Sequence, residues 1–249
     1  MHSIHLNRYK LTFEYDGTLF NGWQKQPDVR TVEGVIEEAL STLFQADINI
    51  VGQGRTDSGV HALAQVAHAD LPEKYNADKI TSAMKSLLPA DVALLAITPT
   101  DTDFNARFDA ISRTYRYQIS QRPSPLLRHM CWYVFQHVNL TLLNKCAQLV
   151  LGEHDFVNFC IPANNDYQTT ICSISESRWS EKSQLLVYHI TGNRFLRHMV
   201  RRLAGTMIMV ATGQLNFSDF AVLLEKNKVI HKGYSAPAKG LILESVAYK

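Results

Sequence analysis

Residues 8–15, Arg-Tyr-Lys-Leu-Thr-Phe-Glu-Tyr, alternate large apolar with polar side chains, and that period of two predicts a strand ending at an Asp16-Gly17 turn. Beyond Thr31, which has N-cap chemistry, the period changes. Val32, Val35, Ile36, Ala39, Leu40, Leu43 and Phe44 recur at helical spacing, with Glu33, Glu37 and Glu38 elsewhere on the circumference. Strands over 48–52 and 63–69 follow, then a helix over 77–88 halted by Pro89 and a strand over 92–97. After a polar junction at 99–109, the pattern gives a strand over 113–119, a helix over 141–151 and a strand pair over 171–179 and 185–191. A helix from Arg194 to Val210, a shorter helix over 216–224 and a closing strand over 241–247 complete the chain.

Each half thus runs strand, helix, strand, strand, helix, strand, with the short helix inserted before the last strand of the second. That is the element order of a ferredoxin-like or RNA-recognition-type unit, so the expected class is α+β, built from two ferredoxin-like halves spanning 1–104 and 105–249. No repeat in the sequence relates the halves; the duplication rests on element order.

A chain of 249 residues can bury a sizeable core, and 46% hydrophobic with 19% charged residues excludes a disordered or membrane-embedded class. The formal charge is only +2, so any nucleic-acid footprint has to be a local patch. Four cysteines, at 131, 146, 160 and 172, lack C-x-x-C spacing, which argues against zinc and for free thiols in a reducing compartment, the cytoplasm. Met1-His2-Ser3-Ile4-His5 has no signal-peptide character, and the apolar run Leu203–Ala211 is too short to span a bilayer.

The most chemically loaded stretch is 52–62, G-Q-G-R-T-D-S-G-V-H-A, which joins two of the expected strands. Its three glycines allow close approach by another chain segment or a ligand. In an extended segment Arg55 and Asp57 project to one side and Thr56 to the other, so a carboxylate and a guanidinium share a face. A cation there favours the ionised, nucleophilic acid, although a salt-bridged turn would have the same residues.

Further along, Arg194, Arg197 and Arg201 would form a cationic stripe at i, i+3 and i+7 on the expected helix. Tyr115 and Tyr117 flank Arg116 on a strand, with both rings on one side and Tyr117 assigned to the core. Arg107, Arg113, Arg116, Arg122 and Arg128 could add phosphate contacts, with solvation the simpler role for each. His61 and His68 are expected to be structural. Ser58 lacks the G-x-S-x-G context of a nucleophile elbow, and no phosphate-cradling or dinucleotide fingerprint is present.

The stretch G-R-T-D-S-G-V-H-A closely resembles the signature of the tRNA pseudouridine synthase A (TruA) family. The resemblance covers nearly the whole chain, in family order: Tyr15-Asp16-Gly17 and Gly22-Trp23-Gln24, Phe104–Phe108, Arg113–Tyr117, Gly152–Phe156, Phe195–Arg201, and Ala236-Pro237 followed by Gly240-Leu241. It implies two halves joined through a central, mostly antiparallel sheet with an active-site cleft at the seam. It makes Asp57 the catalytic carboxylate, Arg201 the arginine that orients it and keeps it ionised, Arg55 a tRNA contact that helps displace the target nucleotide, and Tyr115 the ring that stacks on the flipped uracil. It also implies tRNA as substrate, at uridines 38 to 40 of the anticodon stem-loop, a homodimer as working unit, and no metal or nucleotide cofactor. Departures from the family pattern are Ser58 for the usual Ala, Gln53 at a position commonly small, and Val157-Asn158 after Phe156.

Pseudouridine forms when the bond between uracil N1 and ribose C1′ breaks, the base rotates, and its C5 joins C1′. No atoms enter or leave overall. One ionised carboxylate suffices, by attack on the sugar or by removal of a ribose proton, once the nucleotide is flipped out of its stack. The competing readings are a catalytically silent RNA-binding protein of two RNA-recognition-like halves and a nucleoside or glycoside hydrolase using the same acid.

Overall fold

A computed structural model of the chain describes residues 6–161, 169–225 and 233–249. The N-terminal stretch Met1–His5, whose composition predicts no targeting segment, lies outside the described residues. The chain is mixed α+β and its strands pair mostly antiparallel. Its described residues divide into two compact units, the first running to residue 111 and including 243–249, the second 112–242.

In the first unit, β1 (Leu6–Tyr15) pairs antiparallel with both β3 (His61–Pro72) and β4 (Val92–Pro99), while β2 (Val51–Gly52) pairs with the other edge of β3. The alternation along β1 is that of a sheet with one buried face: Tyr9, Leu11, Phe13 and Tyr15 are buried. Helices α1 (Val32–Phe44) and α2 (Ala77–Leu87) supply Ile36, Leu40, Ile80 and Met84 to the same core. Thr31 caps α1 by accepting from Gly34 N–H at 3.3 Å, and Asn76 caps α2 by accepting from Lys79 N–H at 2.9 Å.

One expectation fails here: residues 48–50 are not in the strand, and the reason lies with polar side chains of α1, among which Glu37, like Glu33, is off the apolar stripe yet buried. The amides of Ile48 and Ile50 donate to Ser41 Oγ (3.0 Å) and Glu37 Oε1 (3.1 Å), so α1 side chains take the place of a neighbouring strand. Glu33 likewise accepts from Lys25 N–H at 2.7 Å and Gln24 Nε2 at 2.6 Å. Burial raises the Glu33 carboxyl above its ordinary range, while the Lys25 N–H and the charge of Arg55 pull the other way.

In the second unit the strand order is β5-β9-β8-β7, from β5 (Ala110–Ser120), β7 (Gly152–Asp155), β8 (Ile171–Lys182) and β9 (Leu185–Gly192), with β6 (Trp132–Tyr133) parallel beside β5. Neither β6 nor β7 is legible in the apolar pattern. Helix α3 (Leu140–Leu149) is pinned to β8 by Asn144, which donates to Trp179 O (3.0 Å) and accepts from Trp179 N–H (2.9 Å). Helices α4 (Met199–Ala211) and α5 (Phe217–Leu224) complete the unit, and β10 (Leu241–Tyr248) ends the chain. All four cysteines are free and buried; burial alone pushes the Cys146 thiol up to about 12. No helix among the described residues is long and apolar enough to cross a membrane.

The arginine stripe does not form as expected. Helix α4 starts at Met199, five residues late, behind His198 with φ of 64°. Arg197 O accepts from Ile161 N–H at 3.0 Å, and Asn193 O accepts from Arg113 Nη1 at 2.8 Å, so carbonyls that a longer helix would use serve other segments. Arg194 and Arg197 therefore precede the helix, and only Arg201 of the three is helical.

Removing the α1 cap with Thr31→Ala is expected to lower the unfolding free energy by about 1 kcal/mol, seen as a lower urea midpoint at unchanged m-value.

Candidate active site

The loop between β2 and β3 lies on the segment 15–24, and each contact uses a feature of those residues. Tyr15 OH and Thr56 Oγ1 share a buried hydrogen bond of 2.8 Å. Trp23 N–H donates to Thr56 O at 3.1 Å, while Gly59 N–H and Ser58 Oγ both donate to Phe20 O, at 3.3 and 3.1 Å. The backbones approach so closely that side chains are excluded: a Cβ on Gly17 would stand 2.0 Å from Val60 O, and one on Gly22, where φ is +89°, 2.7 Å from Thr56 O. Gly52 in turn lies against the Trp23 ring, where a Cβ would come within 2.6 Å.

The expected alternation holds within this loop. Thr56 turns inward and is buried, Arg55 is exposed and Asp57 half-buried. The residues that depart from the family pattern are accommodated. Buried Gln53 donates to Gln65 Oε1 at 3.0 Å, and Gln65 donates to Gly54 O at 3.0 Å, so a glutamine pair buttresses the base of the loop. Ser58 adds its hydroxyl to the Phe20 anchor already described, and Asn158 donates to Leu223 O at 3.0 Å.

Both histidines near the loop serve the scaffold. His61 Nδ1 lies 3.1 Å from Gly17 N and 3.0 Å from Asp16 Oδ1, so it accepts the turn's N–H when unprotonated and donates to the carboxylate when protonated. Burial works against the Asp16 charge, yet hydrogen bonds from the Thr18 hydroxyl and N–H hold its carboxyl below the usual range. His68 Nδ1 accepts from Ala106 N–H at 3.1 Å, and Tyr248 OH donates to Ala106 O at 2.7 Å, fixing the Phe104–Phe108 turn. Burial lowers the His68 pKa.

In the second unit Tyr115, on β5 opposite Ile190, is buried, with Phe195 edge-on at 5.2 Å. Tyr117 is core, as expected from sequence, and its hydroxyl donates to Pro237 O at 2.8 Å. Arg201 Nε donates to Ala236 O at 2.9 Å, and Ala236 N–H returns a bond to Arg201 O at 3.0 Å. Adjacent carbonyls, of Ala236 and Pro237, thus hold an arginine from α4 and a tyrosine from β5. The approach again needs glycine: a Cβ on Gly205 would meet Tyr234 O at 2.2 Å, and one on Gly240 the Tyr117 ring at 2.7 Å. Sequence reading gave no role to Tyr15, Thr56, Gly205 or the two carbonyls; the clue was that glycines recur wherever these segments meet.

Arg107, Arg122 and Arg128 are exposed, Arg113 and Arg116 partly so. Among the described residues no group of three His, Cys, Asp or Glu is arranged to hold a metal ion. A groove of about 630 Å³ in the first unit runs beside α1, lined by Lys25, Arg30, Glu37, Ser41 and Asn49 among others; Arg55 and Asp57 are not part of it.

A sequence profile described as tRNA pseudouridine synthase matches residues 11–109 and 146–249 of this chain. Curated relatives agree. The chain is 39% identical over 245 residues to a protein named tRNA pseudouridine synthase A from Porphyromonas gingivalis, covering 97% of each. It is 38% identical over 245 residues to the protein of that name from Bacillus subtilis, covering 97% of this chain and 99% of the relative. For the one from Caldicellulosiruptor bescii the identity is 36% over 240 residues, with 96% and 98% covered.

Tyr15→Phe is expected to leave the Thr56 hydroxyl buried without its partner, at a cost of about 1–3 kcal/mol. Gly22→Ala should cost more, because it adds a left-handed strain to a backbone clash. Urea unfolding checks both, and faster trypsin cleavage after Arg55 in the native protein checks that the loop itself has loosened.

Proposed function

The chain belongs to the tRNA pseudouridine synthase family and is an isomerase that converts uridine to pseudouridine in tRNA, and from that footing we propose how its residues divide the work. Asp57 is the catalytic carboxylate. The observation that carries this assignment is the loop itself: its backbone is anchored on three sides by Tyr15, Trp23 and Phe20, while Asp57 is left half-buried with Arg55 beside it in sequence and exposed. A preorganised acid on a rigid backbone is what a cofactor-independent rearrangement at ribose C1′ requires.

Arg201 orients the acid and favours its ionised form, and its own orientation is supported by the bond from Nε to Ala236 O. Tyr115 stacks on the extruded uracil, and Arg55 contacts the tRNA where the nucleotide leaves its stack. The targets are the anticodon stem-loop uridines that the family resemblance implies, and the working unit is a homodimer with one tRNA touching both subunits. We place the enzyme in the cytoplasm, where tRNA is modified and thiols stay reduced.

The architecture we propose is a pair of ferredoxin-like halves, 1–104 with the Asp loop and 105–249 with Tyr115 and Arg201. The order β4-β1-β3 with β2 beside β3, and the order β5-β9-β8 in the second unit, support it.

Asp57→Asn is expected to abolish pseudouridine formation in tRNA while tRNA affinity stays within about threefold of wild type. Retained turnover would remove Asp57 from the mechanism, and release of free uracil by the wild type would indicate hydrolysis instead. Arg201→Lys should behave almost like Arg201→Ala, each losing roughly a hundredfold in kcat, because a lysine cannot donate to Ala236 O and present a planar fork at once.

A further inference from the structure

The segment that holds Arg201 also presents an aromatic ring to solvent. Tyr234 is 50% exposed, yet its backbone is among the most closely packed in the unit, against Gly205 on α4. Two residues on, Ala236 exchanges hydrogen bonds with Arg201 in both directions. The ring is backed by Trp132 of β6, with centroids 6.3 Å apart and planes inclined by 29°. A tyrosine on a mobile loop would be unremarkable; one on a fixed backbone, supported from behind by an indole, is a preformed flat surface.

Basic residues belong to the elements around it: Arg201 is hydrogen-bonded to Ala236, two residues on, and Lys239 follows five residues along the same segment. Lys239 is exposed. A supported π-face on a segment that also carries an exposed lysine suits an unpaired nucleobase and its phosphate, since stacking on such a face tolerates any base and a cation holds the backbone.

We propose that Tyr234, backed by Trp132, is a second stacking platform for the tRNA, taking an unpaired base other than the uridine under reaction. The proposal rests on the tRNA-isomerase reading above and extends it: Tyr115 acts on the target base, whereas Tyr234 acts on binding. It therefore sets KM and affinity more than kcat.

The test compares full-length wild type with Tyr234→Phe, Tyr234→Leu and Tyr234→Ala, measuring tRNA Kd by filter binding and both kcat and KM for pseudouridine formation. The phenylalanine variant should stay within about twofold in Kd and KM. The leucine and alanine variants should weaken both roughly tenfold, with kcat changed by no more than about threefold. Leucine keeps apolar bulk against Trp132, so its failure separates stacking from packing. Unchanged Kd in the alanine variant overturns the platform. A fall in kcat at constant KM also overturns it, because that is the mark of a displaced Arg201. Tyr234-dependent binding of tRNA by a wild type that forms no pseudouridine would sink the catalytic reading and leave the platform standing.

Discussion

The backbone contact between residues 15–24 and residues 56–60 is the constraint from which the site follows. Glycine at 17 and 22 lets two chain segments approach to distances at which any Cβ would strike a carbonyl. The polar groups brought into that contact are then paired: Thr56 O with Trp23 N–H, Phe20 O with Ser58 and Gly59, Thr56 Oγ1 with Tyr15 OH. An unpaired member would cost about 1–3 kcal/mol, so the set is satisfied together or not at all. The consequence is geometrical. With Thr56 fixed inward, its neighbours Arg55 and Asp57 are turned outward on a backbone that cannot easily rotate them.

The second unit solves the converse problem. There the side chain proposed to orient the acid is long and sits on a helix, so it is the side chain that must be fixed. Arginine carries five donors in a rigid plane, and fixing Nε on the Ala236 carbonyl sets the orientation of that plane. The next carbonyl, of Pro237, takes the hydroxyl of Tyr117, two residues from Tyr115 on the same strand. The Ala236-Pro237 pair is thus a mechanical link between α4 and β5. Proline suits the position because it offers a carbonyl while presenting no N–H that would need a partner of its own.

Most of the regular elements were legible because their apolar residues repeat at 2 or 3.6 over enough residues to be unambiguous, as in β1 and α1. The failures share a cause that periodicity does not register. Residues 48–50 alternate like a strand, and Ile48 and Ile50 are buried as that alternation requires, but side chains of α1 hold their amides. Residues 194–198 continue the helical spacing of α4 backwards, but the carbonyls of Asn193 and Arg197 are engaged by Arg113 and Ile161. In both cases the pattern predicts which side chains are inside, and tertiary hydrogen bonding decides which backbone conformation puts them there. For the candidate site, the acid and its arginine neighbour stand out by residue type and the tyrosine by family resemblance, whereas the groups that position them do not, since several of them are backbone carbonyl oxygens.

The same separation of inside from outside bears on charge. A net charge of +2 looks too small for a protein that must hold a polyanion. Net charge, however, counts an acid equally wherever it lies. Glu33 and Glu37 are buried and accept from backbone and side-chain donors of 24–25 and 50, so neither presents a bare carboxylate where a phosphate would approach. Arg55, Arg107, Arg122, Arg128, Arg197 and Lys239 are all exposed. Helix α1 thus uses two of its acids as structural acceptors, while these bases stand at the surface. Positive character for RNA is therefore a matter of where bases cluster locally, which a net charge does not register.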